Sequence, residues 1–187
     1  MSEHLITDLA SLEALFGPVA PASIAKEVDH LHPLYARWID NARFALLATS
    51  GPHGLDISPR GDAGPLVRII DERTLLLPER RGNNRIDSLR NLISDPRVSL
   101  IFLIPGVGET LRVRGRAEIC VDPQLLASFA VEGKAPICVL RISVDKVFFQ
   151  CARSILRSRL WHLQEHDSSQ VPTPGSILAG LTQGGID

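Results

Sequence analysis

The chain has 187 residues, 44% hydrophobic and 22% charged, which suits a folded globular domain with a substantial core and excludes wholesale disorder. A formal net charge of -1 argues against a large non-specific nucleic-acid surface. The opening MSEHLITDLA has no basic start followed by an apolar run, and no apolar stretch approaches the ~20 residues that span a bilayer, so a cytoplasmic protein is expected.

Three cysteines, Cys120, Cys138 and Cys151, are too widely spaced for a CxxC pair or a zinc pattern, and their odd number fits reduced thiols. Lysine occurs only at Lys26, Lys134 and Lys146, whereas the span from Arg60 to Arg116 is rich in arginine. Arginine is the residue for planar, bidentate recognition of phosphate and carboxylate.

In chain order, Thr7 is placed to cap a helix whose Leu9, Leu12, Leu15 and Phe16 share one face, and Gly17-Pro18 stops it. A second helical pattern covers about Ser23 to Ile39, interrupted near His32-Pro33. The first 42 residues thus read as a helical cap on a following domain at 43–161, with 162–187 a weakly specified tail. From Phe44 the pattern turns to strands: FALLATS, a GPHG turn, LDIS, a PRGDAGP loop, LVRII, a tight turn, and TLLLP.

A helix from about Arg85 to Ser94 ends at Asp95-Pro96, and the nearly all-apolar VSLIFLI is expected inside a sheet. TLRVRGRAEICV alternates as a half-exposed strand, with Arg112, Arg114 and Arg116 on one face. Asp122-Pro123 opens a helix to about Val131, ICVLRISVDKVFFQ holds a last pair of strands, and CARSILRSRLW reads as a short basic helix. Six or seven short strands at near-regular spacing, with helices before, within and after them, predict an α+β fold around a small closed barrel.

The segment PERRGNNRIDS raises the question of chemistry, because it sets arginines and adjacent asparagines between a buried strand and a helix. A helix start favours anions, since its first N–H groups lack partners and its dipole is positive there. Gly82 permits close backbone approach, Asn83 and Asn84 suit a turn, and Arg85 can fork onto two oxygens. The other reading is a solvated connection whose arginines pair with Glu79 and Asp87. Elsewhere, Asp62 and Asp87 fit arginine partners better than an acid-base pair, and Cys151 fits a small buried residue better than a reactive thiol. His30 and His32 lack further ligands at metal spacing.

The succession DISPRGD, VRIID, LLLPERRGNNRIDSLRN, DPRVSLIFLIPG and ETLRVRGRAEI resembles the pyridoxamine 5'-phosphate oxidase-related FMN-binding split-barrel proteins, in the branch of probable FMN-dependent enzymes. The resemblance covers about Arg43 to Trp161. It implies a six-stranded antiparallel split barrel, a homodimer with FMN at the subunit interface, and a flavin-dependent oxidoreductase acting on a small molecule; the charge and ligand spacing add the expectation of neither nucleic acid nor metal. It assigns phosphate binding to Arg85 with Asn83, Asn84 and Ser88 beside it, and the strand against the flavin to Ser58 and Arg60.

Leu77 and Pro78 would run past the ring, Thr110 and Arg112 would add polar contacts, and Arg157 and Trp161 of the basic C-terminal element would reach the cofactor. The insertion GDAGPLV leaves Arg68 competing with Arg60 for the family's phosphate-binding arginine; placed instead near the ring, Arg60 would favour reduced flavin. The C-terminal signature that grips pyridoxal phosphate is not recognisable, so the vitamin B6 substrate is not carried over, and a vitamin B6 phosphate oxidase stands only as an alternative. A non-catalytic module for flavin, haem or deazaflavin is another.

Overall fold

The computed structural model describes residues 4–52, 54–162 and 168–182. His53 of the expected GPHG turn, and residues 163–167 and 183–187 of the expected tail, lie outside the described residues. Three helices open the chain: α1 (Leu9–Phe16), α2 (Pro21–Ala25) and α3 (Pro33–Asp40). The cap of α1 is Asp8 rather than Thr7, its Oδ1 accepting from Ser11 N at 2.9 Å. Gly17 ends the helix at φ 68, a left-handed angle that glycine adopts without strain. The pattern at 23–39 is interrupted before Pro33 as expected, and it resolves into two helices separated by residues 26–32. Pro33 begins α3, where its missing N–H costs nothing, and His32 Nδ1 caps it by accepting from Leu34 N at 3.2 Å. His30 is engaged with Asp29, 3.0 Å away.

Seven strands follow: β1 (Phe44–Gly51), β2 (Gly54–Gly61), β3 (Arg68–Asp71), β4 (Thr74–Glu79), β5 (Arg97–Leu103), β6 (Thr110–Cys120) and β7 (Cys138–Gln150). They form one antiparallel sheet in the order β2-β1-β5-β6-β7-β4-β3, completing an α+β fold with α4 (Asp87–Ser94), α5 (Pro123–Ala127), α6 (Arg153–Ser158) and α7 (Pro174–Thr182). The end strands β2 and β3 do not pair with each other, so the backbone ladder is not the closed barrel expected from strand spacing.

The sheet nevertheless rolls until β2, at one end, meets β4, next to the other end. Arg60 Nε of β2 donates to Glu79 Oε1 of β4 at 2.7 Å, and Arg80 Nη2 donates to Asp62 Oδ2 at 2.7 Å. Each edge carries one cation and one anion, and the two pairs cross the seam in opposite senses. Side-chain ion pairs take the place of the missing ladder.

Two other departures have local causes. The last strand pair is one continuous strand, β7, which follows β6 through a bulge at Arg114/Gly115. A Cβ on Gly115 would stand 2.2 Å from Ser143 O, so glycine is what lets the two backbones approach there. Beyond α6, the expected tail contains a helix, α7, none of whose described residues is buried.

The core lies inside the roll, where Leu47, Leu75, Leu77, Leu100, Phe102, Leu111, Leu140 and Ile142 are fully enclosed. Each such side chain contributes about 1.5–3 kcal/mol of burial. As VSLIFLI suggested, β5 is interior, flanked by β1 and β6. Helix α4 packs on β1 through Leu92 and Asn91, whose Nδ2 donates to Thr49 Oγ1 at 3.2 Å.

The outer face of β2-β1-β5 is apolar and uncovered. Leu55 and Ile57 are 86% and 66% exposed, and Leu46, Ile101 and Leu103 are half-buried. Register places Ile57 opposite Ala48, and Leu46 opposite both Pro59 and Ile101. No described helix is long and apolar enough to cross a membrane.

Candidate functional site

The seam between β2 and β4 opens into a cleft of about 590 Å³, within the range of small-molecule sites. Local sequence shapes both lips. As an edge strand paired only with β1, β2 tolerates Pro59, and it turns its polar residues Asp56, Ser58 and Arg60 toward the cleft while Leu55 and Ile57 face outward. On the other lip, pairing of β3 with β4 stops at Leu76. Pro78 therefore withdraws no N–H from a neighbouring strand on that side. The proline belongs where the ladder ends.

Between β4 and α4 the GNNR segment forms a tight turn. Asn84 takes a left-handed φ of 59, which asparagine tolerates, and Asn83 Oδ1 accepts from Arg85 N at 3.0 Å. Gly82 has open space around it and no positive φ, so steric need does not explain that glycine. Helix α4 begins at Asp87, two residues after the expected Arg85. Its first turn presents Ser88 to the cleft.

A hydrogen-bonded chain joins the lips to α4. Ser88 Oγ donates to Asp56 Oδ2 at 2.6 Å and lies 2.9 Å from Ser58 Oγ. Arg60 Nη1 donates to Ser58 Oγ at 2.6 Å, and Nη2 lies 3.5 Å from Ser88 Oγ. The Arg60 and Glu79 side chains are 16% and 12% exposed, so this pair is partly screened from water. Arg85 extends at the rim, 79% exposed, and pairs with Asp87 Oδ2. That contact holds the Asp87 carboxyl below its ordinary range and pushes the guanidinium up.

Of the residues singled out from sequence, Ser58, Arg60, Pro78, Asn83, Asn84, Arg85 and Ser88 line this one cleft. Arg68 does not. Its guanidinium donates to Ser128 Oγ and O at 2.9 and 2.8 Å and stacks 3.8 Å from the Phe129 ring, which ties the segment after α5 to β3. Arg60, reaching both serines, is therefore the arginine that shares the cleft with Arg85. The same contacts turn it toward the α4 end of the cleft, and Glu79 balances its charge, which weakens its reading as a cation beside a flavin ring.

Leu77 is fully enclosed in the core, so its side chain is structural. Thr110, Arg112, Arg157 and Trp161 stand apart from the cleft within one chain. Thr110 is buried; Arg112 lies 5.3 Å from the Phe148 ring; Trp161 Nε1 donates to Val107 O at 2.7 Å. Arg157 is exposed on α6.

Sequence reasoning missed Asp56, Leu66, Leu89 and Ile137 of the cleft wall and the pairing of Glu79 with Arg60 across the seam. The period-two spacing of Asp56, Ser58 and Arg60 was the available signal. Asp62 and Asp87 do serve as arginine partners, for Arg80 and Arg85. Cys151 is exposed, contrary to the expected buried position, and Cys138 is the buried thiol.

The donor set fits a phosphate-bearing cofactor. Arg60, Ser58 and Ser88 cluster within the cleft, Arg85 stands at its rim, and Leu66, Pro78, Leu89 and Ile137 supply apolar wall. The family model described as pyridoxamine 5'-phosphate oxidase matches residues 31–151. Among solved structures, the chain is similar to a variant of HupZ from Group A Streptococcus, at 21% identity and TM-score 0.51, covering 64% of this chain and 99% of that one. It is similar to General Stress Protein 26 from Bacillus anthracis at 17% identity and TM-score 0.45, covering 61% and 88%. A FAD-binding protein from Mesorhizobium loti matches at 21% identity and TM-score 0.43, covering 64% and 93%. At 21% identity and TM-score 0.51 the likeness to HupZ speaks for the fold alone. No curated protein matches the chain.

Proposed function

The chain belongs to the pyridoxamine 5'-phosphate oxidase family, and on that premise we propose that it is an FMN-dependent oxidoreductase, cytoplasmic and homodimeric, built as a split barrel. The observation that carries the flavin reading is that Ser58, Arg60 and Ser88 are hydrogen-bonded together in a cleft whose rim carries Arg85. Arg85 and Arg60 would fork onto phosphate oxygens, Ser58 and Ser88 would donate hydroxyl hydrogen bonds, and Asn83 and Asn84 would hold the turn that aims Arg85. Pro78, Leu89 and Ile137 would exclude water along the apolar wall. When bound, the flavin supplies the hydride chemistry; the protein supplies anchoring, orientation and electrostatics.

Dimerisation is the second part of the proposal. Leu46, Leu55, Ile57, Ile101 and Leu103 form a contiguous apolar face, and a two-fold partner is the commonest cover for such a surface. Arg112 borders that face, opposite Ile101 in the register, so a partner seated there could bring its own Arg112 toward the cleft. This would give Thr110 and Arg112 the role that they lack within one chain.

The experiment is direct. Purified protein should carry a yellow chromophore that mass spectrometry identifies as FMN and that NADH or NADPH bleaches anaerobically. Bound flavin inert to both donors would move the reading to a binding module. Absence of any flavin affinity would end it. Ile57→Asp should convert a dimer, measured by light scattering, to monomers with weakened flavin binding; a monomeric wild-type protein refutes the shared site.

A further inference from the structure

Three anion-binding donors of the cleft already have a carboxylate of the same chain against them. Arg60 Nε donates to Glu79 Oε1 at 2.7 Å, Arg85 Nε to Asp87 Oδ2 at 2.5 Å, and Ser88 Oγ to Asp56 Oδ2 at 2.6 Å. The wall carries the arginines Arg60, Arg80 and Arg85 and the carboxylates Asp56, Glu79 and Asp87, and Arg80 is itself engaged by Asp62. An entering anion gains any of these three donors only by displacing a carboxylate or sharing with it.

We propose that Asp56, Glu79 and Asp87 are built-in competitors that hold down the cleft's affinity for anions and set its preference for phosphate monoesters over carboxylates. A ligand carboxylate that replaces a chain carboxylate on one arginine exchanges like for like and gains little, while its immobilisation still costs free energy. A phosphate monoester carries a charge of about -1.5 to -2 and three acceptor oxygens. One such group can face Arg60, Arg85 and the Ser88 hydroxyl together, which no single carboxylate does.

The three competitors differ in how readily they yield. Glu79 is 12% exposed and holds Arg60 across the seam, whereas Asp87 is 36% exposed at the rim and can swing toward water. Asp87 is therefore the first to give way, and the Arg60–Glu79 pair stays as the fixed end of the site. The inference rests on the flavin reading only for the identity of the ligand. Any phosphate monoester meets the same competition.

Asp87→Asn keeps the side-chain shape and removes its charge. FMN should bind this variant about tenfold more tightly than wild type, because a competing ion pair and a like-charge repulsion both disappear. Riboflavin, which has no phosphate, should bind both proteins alike. Asp56→Asn should act in the same direction. Asp95→Asn, which breaks the Asp95–Arg97 pair at the far end of α4, should change neither affinity.

FMN binding unchanged or weakened in both cleft variants, with native circular dichroism retained, overturns the proposal. A parallel measurement with inorganic phosphate separates it from the flavin reading. If no flavin binds wild type or variant, yet phosphate raises the melting temperature of Asp87→Asn at lower concentration than wild type, the competition stands and the flavin reading falls. If phosphate treats the proteins alike, the competition falls.

Discussion

Cutting the seam at Arg60 measures how much the ion pairs contribute where backbone pairing is missing. In Arg60→Ala, Glu79 loses its Nε donor at 2.7 Å and keeps its charge at 12% exposure, while Ser58 loses a donor at 2.6 Å. Removing one partner of a fully buried pair costs about 3–5 kcal/mol, because an uncompensated charge is left behind. Both side chains here retain some contact with water, so the figure falls to about 2–3 kcal/mol. For a chain of this size each kcal/mol moves the melting temperature by roughly 2–4 °C, giving a loss of about 4–12 °C in the ligand-free protein. Calorimetry at neutral pH reads it. Arg60→Ala/Glu79→Ala should lose less than the sum of its single variants, since the double change leaves no stranded charge. A single-variant shift within about 1 °C, or strictly additive losses, would refute the seam's role.

Two further outcomes follow from the same geometry. Arg85→Ala should weaken FMN about tenfold, leave riboflavin unchanged and leave the melting temperature near wild type, because the side chain is exposed and must leave Asp87 to meet a phosphate. Arg68→Ala should leave both flavin affinities alone, since that guanidinium serves Ser128 and Phe129; fluorescence titration of the two variants decides between the arginines. Burial, and then Glu79, push the Cys138 thiol up to about 11, while Cys151 is exposed. Iodoacetamide at about pH 8 should accordingly modify Cys151 in the folded protein and spare Cys138, by peptide mass; rapid labelling of Cys138 would contradict its enclosure.

What the sequence made legible was local, and what it hid was either distant or reversed in sense. The strand run FALLATS and the alternation in TLRVRGRAEICV revealed β1 and β6, and the apolar run VSLIFLI revealed an interior β5, because one strand carries its own pattern. The polar Asp145-Lys146 step made β7 look like two strands, although its backbone runs through a bulge. Glycines and small residues in PGSILAGLT concealed α7.

At the site, Asn83, Asn84 and Arg85 were legible as one turn, whereas Arg60–Glu79 and Arg80–Asp62 join residues 19 and 18 positions apart and depend on the sheet rolling. Asp56 was hidden for a third reason. Alternation is ordinarily read with apolar residues inward, but β2 turns Asp56, Ser58 and Arg60 toward the cleft and leaves Leu55 and Ile57 outside. An edge strand with an exposed apolar row is an aggregation hazard unless something covers it. The inversion that concealed the cleft's polar wall therefore argues, from the other face of the same strand, for a partner on β2.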